Sequence, residues 1–355
     1  MTQYAAALVA IAIALSSAAA QDVHFTQFYS APLLLNPALT GGFEGKLRAG
    51  LIYRDSWRGT LDNPFVTTTA GLDFRFPIRA GGRDNGDAAA AGIVFMNDRV
   101  KVYDFTHNQI MVSGAYHKLL DKNTNQRLSG GIQVGVGQRN INYGALDFQD
   151  EFSIQPNGSS GYFGATREEL PPNNLAFLDL NAGINYSYAP RGRAALYAGV
   201  AVHHINEPDI SFDAQVEDPT VEPEPQALDR KYSVHVAGAI PLQSTLSLQP
   251  RVLAQMQGES IQAVLGTNLR FQFDEFSSTA LHVGSWFRGV RNVDGVGPDA
   301  VVALVGFEYK NVLLGTSYDI GLSDFTANSR GRGALEISLA YLGDYENDSL
   351  TCPTF

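Results

Sequence analysis

The stretch Gly333-Ala334-Leu335-Glu336-Ile337-Ser338-Leu339-Ala340-Tyr341, near the end of the chain, decides the fold. Its large apolar residues occupy alternate positions, and small or polar residues lie between them. Successive side chains of a β-strand point to opposite faces of the sheet, so this strand meets an apolar environment on one face and a polar one on the other. We therefore expect Ile337 and Leu339 to face lipid and Glu336 to face the interior of a barrel.

The same alternation recurs along most of the chain and predicts fourteen strands. They cover residues 46–55, 65–76, 88–99, 103–117, 127–139, 174–188, 193–205, 230–240, 244–256, 259–272, 277–289, 299–310, 311–320 and 332–343. Lipid outside and water inside require this pattern, and bacterial outer-membrane barrels have an even strand count. The sequence predicts an all-β protein, a transmembrane antiparallel β-barrel of about 14 strands. A soluble β-sandwich array or propeller is the alternative, but no repeat of about 40–50 residues is present.

The lengths of the connections predict the orientation of this barrel. If the first strand runs outward from the periplasm, the long gaps 140–173, 206–229 and 321–331 are all external. Short connections such as 189–192 and 241–243 are then periplasmic. Long external loops and short periplasmic turns are typical of outer-membrane barrels.

An apolar run from Tyr4 to Leu15, followed by small residues up to Ala20, is typical of a secretory signal peptide. It is too short for a membrane-spanning helix, which needs about 20 apolar residues. The predicted organisation is a signal peptide at 1–20, cleaved before Gln21 after export through the Sec pathway, and an N-terminal periplasmic or lumenal segment at 21–43. The barrel then occupies residues 44–343, and a periplasmic tail occupies 344–355.

Charge excludes one class of partner. The formal net charge is −11, which disfavours nucleic acid, because nucleic-acid binding needs clustered basic residues. The gap 206–229 is rich in Asp, Glu and Pro and lacks Lys and Arg. Such a composition is typical of a solvated, extended loop; a site for a divalent cation or a basic partner is the alternative, although the spacing matches no EF-hand.

Residues 21–45 do not follow the strand pattern. Aromatic residues are followed by a short apolar run between Pro32 and Pro37, and Asn36-Pro37 is a turn signal. An irregular backbone cannot lie in lipid with unsatisfied polar groups, so this segment is expected to fill the lumen, to plug the periplasmic mouth or to bind a partner. The candidate plug or partner-binding residues are Phe25, Gln27, Phe28, Tyr29, Pro32, Leu33, Leu35, Asn36 and Pro37.

This segment also carries a family resemblance. Asp22-Val23-His24-Phe25-Thr26-Gln27-Phe28-Tyr29, followed by Pro32-Leu33-Leu34-Leu35-Asn36-Pro37-Ala38, resembles the mature start of the PorP/SprF proteins. Further matches are Tyr53-Arg54-Asp55-Ser56-Trp57, Tyr318-Asp319, Gly333 to Leu339 and the final Cys352-Pro353-Thr354-Phe355. The resemblance covers the mature chain from end to end, and the N-terminal motif is its most specific part.

The resemblance implies a non-enzymatic outer-membrane barrel of the type IX secretion and gliding machinery of Bacteroidota. It implies that the protein supports secretion and surface anchoring of large adhesins that carry a type B-like C-terminal sorting domain. Expected partners are such an adhesin, periplasmic components of the secretion and motility machinery, and outer-membrane lipid. The alternative from the residues is an outer-membrane channel for small hydrophobic or polar solutes.

No residue pattern predicts catalysis, a cofactor or a metal. There is no Gly-x-Ser-x-Gly elbow, and Cys352 lies in the tail without a neighbouring His in sequence. His203 and His204 are neighbours in a predicted strand, so we expect them to point to opposite faces and not to share a metal. Trp286 is expected at a membrane interface among the girdle aromatics, with core packing as the alternative.

Overall fold

The structure is a computed structural model, and it describes residues 22–58, 64–80, 83–101, 104–154, 160–162, 166–168, 170–212, 226–273, 278–292, 295–322 and 333–343. The predicted signal peptide with its cleavage site, the predicted tail and the centre of the acidic loop lie outside these residues. Among the described residues, no helix has both the length and the apolar character needed to cross a membrane.

Fourteen antiparallel strands close into a barrel, which confirms the predicted fold. The barrel strands are β1 (Leu47–Ser56), β2 (Phe65–Ala80), β3 (Arg83–Val100), β4 (Phe105–Asp121), β5 (Gln126–Ile141), β8 (Asn174–Tyr188), β9 (Ala195–His203), β10 (Lys231–Pro241), β11 (Leu246–Gln257), β12 (Ser260–Gln272), β13 (Thr279–Asn292), β14 (Gly295–Tyr309), β15 (Val312–Gly321) and β16 (Gly333–Gly343). Two short strands, β6 (Phe152–Ile154) and β7 (Ser160–Tyr162), form a separate sheet in the connection between β5 and β8.

Each strand pairs with its neighbours along the chain, and β1 pairs with β16 to close the barrel. The closing seam runs in register from Leu47 opposite Gly343 to Ser56 opposite Ala334. In β16 the predicted faces are correct, because Glu336 is fully buried while Ile337 and Leu339 are 40% and 43% exposed. Large apolar side chains therefore cover the outside, and polar side chains point inward.

The two ends of the barrel differ in their connections. The connections 142–173, 204–230 and 322–332 all leave one end, which we call the long-loop end. The opposite, short-turn end carries connections such as 81–82 and 122–125. Both of these turns are shorter than the sequence predicted, because β2, β3, β4 and β5 all extend beyond their predicted bounds.

Candidate functional site

The candidate site is the lumen, and residues 22–43, which we call the N-terminal segment, run through it. The backbone N–H of Asp22 donates to Gln257 Oε1 at the long-loop end, 3.0 Å away. Phe43 lies near the short-turn end, where the backbone N–H of Lys46 donates to Gly343 O and β1 begins. Of the two locations that the sequence left open, the lumen and the periplasmic mouth, the described residues occupy the lumen.

The segment contains a compact fold of three short helical turns. A 3-10 turn at Phe28–Ser30, a helix at Pro32–Leu35 and a 3-10 turn at Pro37–Leu39 follow one another. Pro32 and Pro37 each occupy the first turn of a helical element, where their missing N–H needs no partner. The side chain of Asn36 accepts a hydrogen bond from Ala38 N at 2.8 Å, so the predicted turn signal is also an N-cap.

Aromatic residues of the segment pack on the barrel wall. The ring of Phe28 meets Trp286 edge-to-face at 5.7 Å, and Tyr29 stacks on the same indole at 5.7 Å. Trp286 is 2% exposed, so its predicted place at a membrane interface is wrong: it lies on the inward face of β13. Buried aliphatic residues complete this cluster, namely Leu35, Leu39, Leu253, Val264, Val302 and Leu304.

Four wall residues, which we call the cradle, hold the start of the segment: Arg54 of β1, Arg288 of β13, Asp319 of β15 and Glu336 of β16. The two carboxylate oxygens of Glu336 accept the backbone N–H groups of Thr26 and Gln27, at 2.7 and 2.9 Å. Arg54 bonds to Glu336 across the closing seam, where the two residues are directly opposed.

Asp319 is the second anion of the cradle. It accepts from the Thr26 hydroxyl at 3.0 Å, from Arg54 Nη2 at 3.1 Å and from Arg288 Nη1 at 2.7 Å. All four cradle side chains are nearly inaccessible to solvent. Two guanidinium groups thus compensate the two cradle carboxylates, and Arg288 also pairs with Asp299 at 2.5 Å. The remaining acceptor positions of the two cradle carboxylates bind the segment.

The same arrangement recurs near the short-turn end. Asp73 accepts from Gly41 N at 2.7 Å and forms a two-pronged ion pair with Arg48, at 2.9 and 2.7 Å. Arg48 Nη2 also donates to Leu39 O at 2.9 Å. Gly41 has a φ of +66°, a conformation that glycine adopts without strain. Buried carboxylates of the wall, each paired with arginine, therefore bind backbone N–H groups at both ends of the segment.

The wall approaches the segment closely at glycines. A Cβ on Gly183 would lie 2.0 Å from Asn36 Oδ1, and a Cβ on Gly131 would lie 2.4 Å from the carbonyl carbon and oxygen of Pro37. Real Cβ atoms do not approach other atoms this closely. The barrel wall is therefore shaped to the predicted Asn36-Pro37 turn.

The remaining candidate residues also lie inside the barrel. Phe25, Pro32 and Leu33 are buried, and Leu33 packs with Val94 and Met111. Gln27 donates to Ser317 Oγ at 3.0 Å and accepts from Ser338 Oγ at 2.7 Å. The structure brings all nine candidates together in one lumenal segment; their role as a plug or a docking element stays a prediction.

His203 and His204 do not point to opposite faces, so that expectation is wrong. The strand ends at His203, and His204 adopts a φ of +55°, which turns its side chain inward as well. Its Nδ1 and Nε2 lie 2.9 and 2.8 Å from the carboxylates of Asp179 and Asp22. Within the described part of the chain, no group of three or more His, Cys, Asp or Glu is placed to hold a metal ion.

The interactions between His204, Asp22 and their neighbours determine the charges of His204 and Asp22. Burial lowers the pKa of His204, but the charge of Asp22 and hydrogen bonds to Asp179 and Asp22 outweigh burial and raise the pKa to about 9. Burial raises the pKa of Asp22, but Lys231 and His204 outweigh it and hold that pKa well below its usual range. An imidazolium and a carboxylate therefore face each other at neutral pH.

The cradle joins residues that are far apart in the sequence. Thr26 and Gln27, Arg54, Asp319 and Glu336 belong to four separate parts of the chain and meet at one network. A family model described as "Type IX secretion system membrane protein PorP/SprF" matches residues 17–341. The chain belongs to the PorP/SprF family. Four of the stretches that carry the resemblance of this PorP/SprF chain to its family thus meet at one lumenal contact.

The barrel of this PorP/SprF protein is similar to those of solved outer-membrane channels. A deletion mutant of the TodX monoaromatic hydrocarbon channel has a TM-score of 0.50 and 11% identity, covering 88% of this chain and 93% of that one. The toluene transporter TodX of P. putida has a TM-score of 0.48 and 12% identity, covering 90% and 94%. At such identities the likeness shows the fold alone. No curated protein sequence matches the chain.

Two sets of charged wall residues that bind the N-terminal segment were not predicted from the sequence. Arg54, Asp319 and Glu336 stood within family motifs but were not chosen as candidates, and Arg48 with Asp73 was missed entirely. The sequence did place each of these charges on the small or polar face of its alternating strand. An isolated charge does not reveal its partner when that partner is a backbone N–H of a distant segment.

Proposed function

We propose that this protein is a non-enzymatic outer-membrane barrel of the type IX secretion and gliding machinery. In this role it supports secretion and surface anchoring of large adhesin-like substrates through their C-terminal sorting domain. Family membership supports the machinery, and the filled lumen supports anchoring over conduction. The long-loop end is then external, the short-turn end faces the periplasmic components, and the outside of the barrel contacts outer-membrane lipid.

The filled lumen is the observation that favours an anchor over a channel. A cavity of about 50 Å³ lies beside Asp22, Phe25 and His204, and an apolar cavity of about 70 Å³ lies between Leu33 and the wall. An apolar cavity of about 150 Å³ takes benzene, so each of these is less than half the size that a small aromatic solute needs. The alternative function, a channel for small solutes, would need the N-terminal segment to move.

The segment acts as a fixed plug in this proposal. Its apolar side chains pack on Trp286, its backbone is held by the carboxylates of Glu336 and Asp73, and its turn abuts Gly131 and Gly183. A hydrogen bond to a charged group contributes about 1.5–3 kcal/mol, and withdrawing the segment would break hydrogen bonds of this kind at both ends. Contacts with the adhesin and the periplasmic machinery then belong to the loops, turns and rims.

An engineered disulfide can distinguish the anchor function from the channel function. The Cβ position of Gly183 lies 2.8 Å from Asn36 Cγ, which brings a cysteine pair at positions 36 and 183 into disulfide range. Asn36→Cys with Gly183→Cys, made in a Cys352→Ser background, would fix the segment to the wall. The anchor proposal expects oxidised cells to display the adhesin as fully as the same cells treated with a reductant.

Two controls accompany the lock. Asn36→Ala with Gly183→Ala changes the same positions without a bridge, and a strain without the gene shows the full loss of surface adhesin. Adhesin display that fails only in the oxidised state would contradict a fixed plug. If a gene-deletion strain keeps its surface adhesins but loses uptake of an apolar solute such as toluene, the protein is a channel and the anchor proposal is wrong.

A further inference from the structure

A basic surface lies at the short-turn end, on one arc of the barrel. The turn between β4 and β5 and the turn between β8 and β9 are neighbours, because β5 pairs with β8. These two turns and the adjoining ends of β4 and β5 carry Lys118, Lys122, Arg127, Arg191 and Arg193, which we call the basic rim. Four adjacent strands span about 15 Å at the usual strand spacing, so these five cations lie within the width of one protein contact.

Two carboxylates described near the rim, Asp87 and Asp121, are already engaged. Asp87 accepts from Lys118 Nζ, Tyr116 Oη and Leu119 N, at 2.8, 2.8 and 2.9 Å. Asp121 accepts from Asn123 N and from the hydroxyl of Thr124 inside its own turn. Among the described side chains, no carboxylate pairs with Lys122, Arg191 or Arg193, and all three are exposed. The rim therefore presents positive charge in a chain whose net charge is −11.

The rim is also held in a fixed shape. Arg127 donates from Nη1 to Gly86 O at 2.7 Å and from Nε to Asn125 Oδ1 at 3.0 Å, which ties the β4–β5 turn to the neighbouring β2–β3 hairpin. Gly192, with a φ of +65°, allows the tight turn that places Arg191 and Arg193 on either side of it. A surface that is ordered before binding loses less conformational entropy when a partner arrives.

We propose that the basic rim is the docking surface for an acidic protein surface of the periplasmic secretion machinery. This inference rests on the proposed function and on the short-turn end being periplasmic. Lipid headgroups surround a barrel on every side, whereas these five cations lie on one arc. In the neighbouring β10–β11 turn, residues 242–245 are uncharged, and on the opposite arc Lys310 lies over the ring of Tyr309 at 5.4 Å. Steering by complementary charge would set the orientation of the partner.

The experiment places a photo-crosslinking amino acid at Asn123, an exposed residue of the β4–β5 turn, in the full-length protein in living cells. Illumination is expected to give an adduct with a periplasmic protein, mapped by mass spectrometry to a peptide rich in Asp and Glu. Lys122→Glu with Arg191→Glu and Arg193→Glu should reduce the adduct at least tenfold. Changing the acidic residues of the mapped peptide to Lys should restore it.

A matched variant carries the same number of changes on the opposite arc, in the β12–β13 and β14–β15 turns: Ser278→Glu, Lys310→Glu and Asn311→Glu. It should leave the adduct unchanged, and both variants should retain the heat-modifiable barrel. An equal adduct in the rim variant, or an adduct with phospholipid, would overturn the docking proposal. Surface adhesin in the gene-deletion strain tests the proposed function separately, because that result does not depend on the rim.

Discussion

Glu336 and Thr26 stand 310 positions apart in the chain, yet the carboxylate of one accepts the backbone N–H of the other at 2.7 Å. Glu336 also pairs with Arg54 of β1 across the seam where the first and last strands meet. The N-terminal segment is therefore bound to the point at which the barrel closes. Closure of the sheet and burial of the segment depend on the same side chains.

The substitution Glu336→Gln should weaken this closure. It keeps the shape of the side chain but removes a negative charge that Arg54 and two backbone N–H groups share, at an expected cost of about 3–5 kcal/mol. The temperature at which the folded band disappears in heat-modifiability gels measures the change. Glu259→Gln, in the exposed turn between β11 and β12, is the control, and an equal transition temperature in both variants would contradict the role of Glu336.

Two adjacent glycines give a matched test of the fit between segment and wall. A Cβ on Gly131 would lie 2.4 Å from the backbone of Pro37, whereas a Cβ on Gly130 would meet nothing within 4 Å. Gly131→Ala should cost about 1–3 kcal/mol or more through overpacking, and Gly130→Ala should leave assembly unchanged. The yield of folded barrel in outer-membrane fractions measures both, and equal yields would argue against a close-fitting segment.

The fold could be predicted from the sequence because strand alternation is a local signal. All fourteen predicted strands are present, and errors are confined to their ends, as at β2 and β3, whose hairpin extends further than predicted. The N-terminal segment could be recognised as an exception to the strand pattern. Its partners could not, because Glu336, Asp73 and Gly131 meet it only once the barrel closes. Trp286 shows the same limit, since an aromatic residue on a strand suits both a membrane interface and a lumenal core.

The outward face of β16 can be tested with arginine at two depths. Leu339 lies near the middle of the strand, whereas Tyr341 lies near its short-turn end. Arginine facing lipid costs about 2–4 kcal/mol at the midplane and about 0–1 near an interface. Leu339→Arg should therefore impair barrel assembly more than Tyr341→Arg does, measured as the folded fraction in detergent or lipid. The reverse order would argue against the placement of the membrane.

The orientation of the barrel can be tested by labelling whole cells. Glu207 is exposed at the long-loop end, and Gln243 is exposed in the turn between β10 and β11. In a Cys352→Ser background, cysteine at position 207 should react with a membrane-impermeant maleimide, and cysteine at position 243 should react only after lysis. If position 243 reacts in intact cells and position 207 does not, the barrel is inverted and the basic rim cannot face the periplasm.

The contact between His204 and Asp22 should make the stability of the barrel depend on pH. The pKa of His204 is raised to about 9, above the value of about 6.5 expected for an unfolded chain. A group whose pKa is raised on folding stabilises the folded state fully below its unfolded pKa, and that stabilisation is lost as pH rises through the folded pKa. The start of the N-terminal segment should therefore be held fully at pH 6 and more weakly at pH 10.

The measurement is the unfolding temperature of the detergent-solubilised barrel between pH 6 and pH 10, for the natural protein and for His204→Gln. Other groups titrate over this range in both proteins, so the difference between the two curves isolates His204. That difference should be largest near pH 6, should decline between about pH 6.5 and pH 9, and should be nearly absent above pH 9. Asp22 stays charged throughout, because its pKa lies well below its usual range. A difference that is constant across the range, or that grows with pH, would show that the imidazolium of His204 does not hold the segment in place.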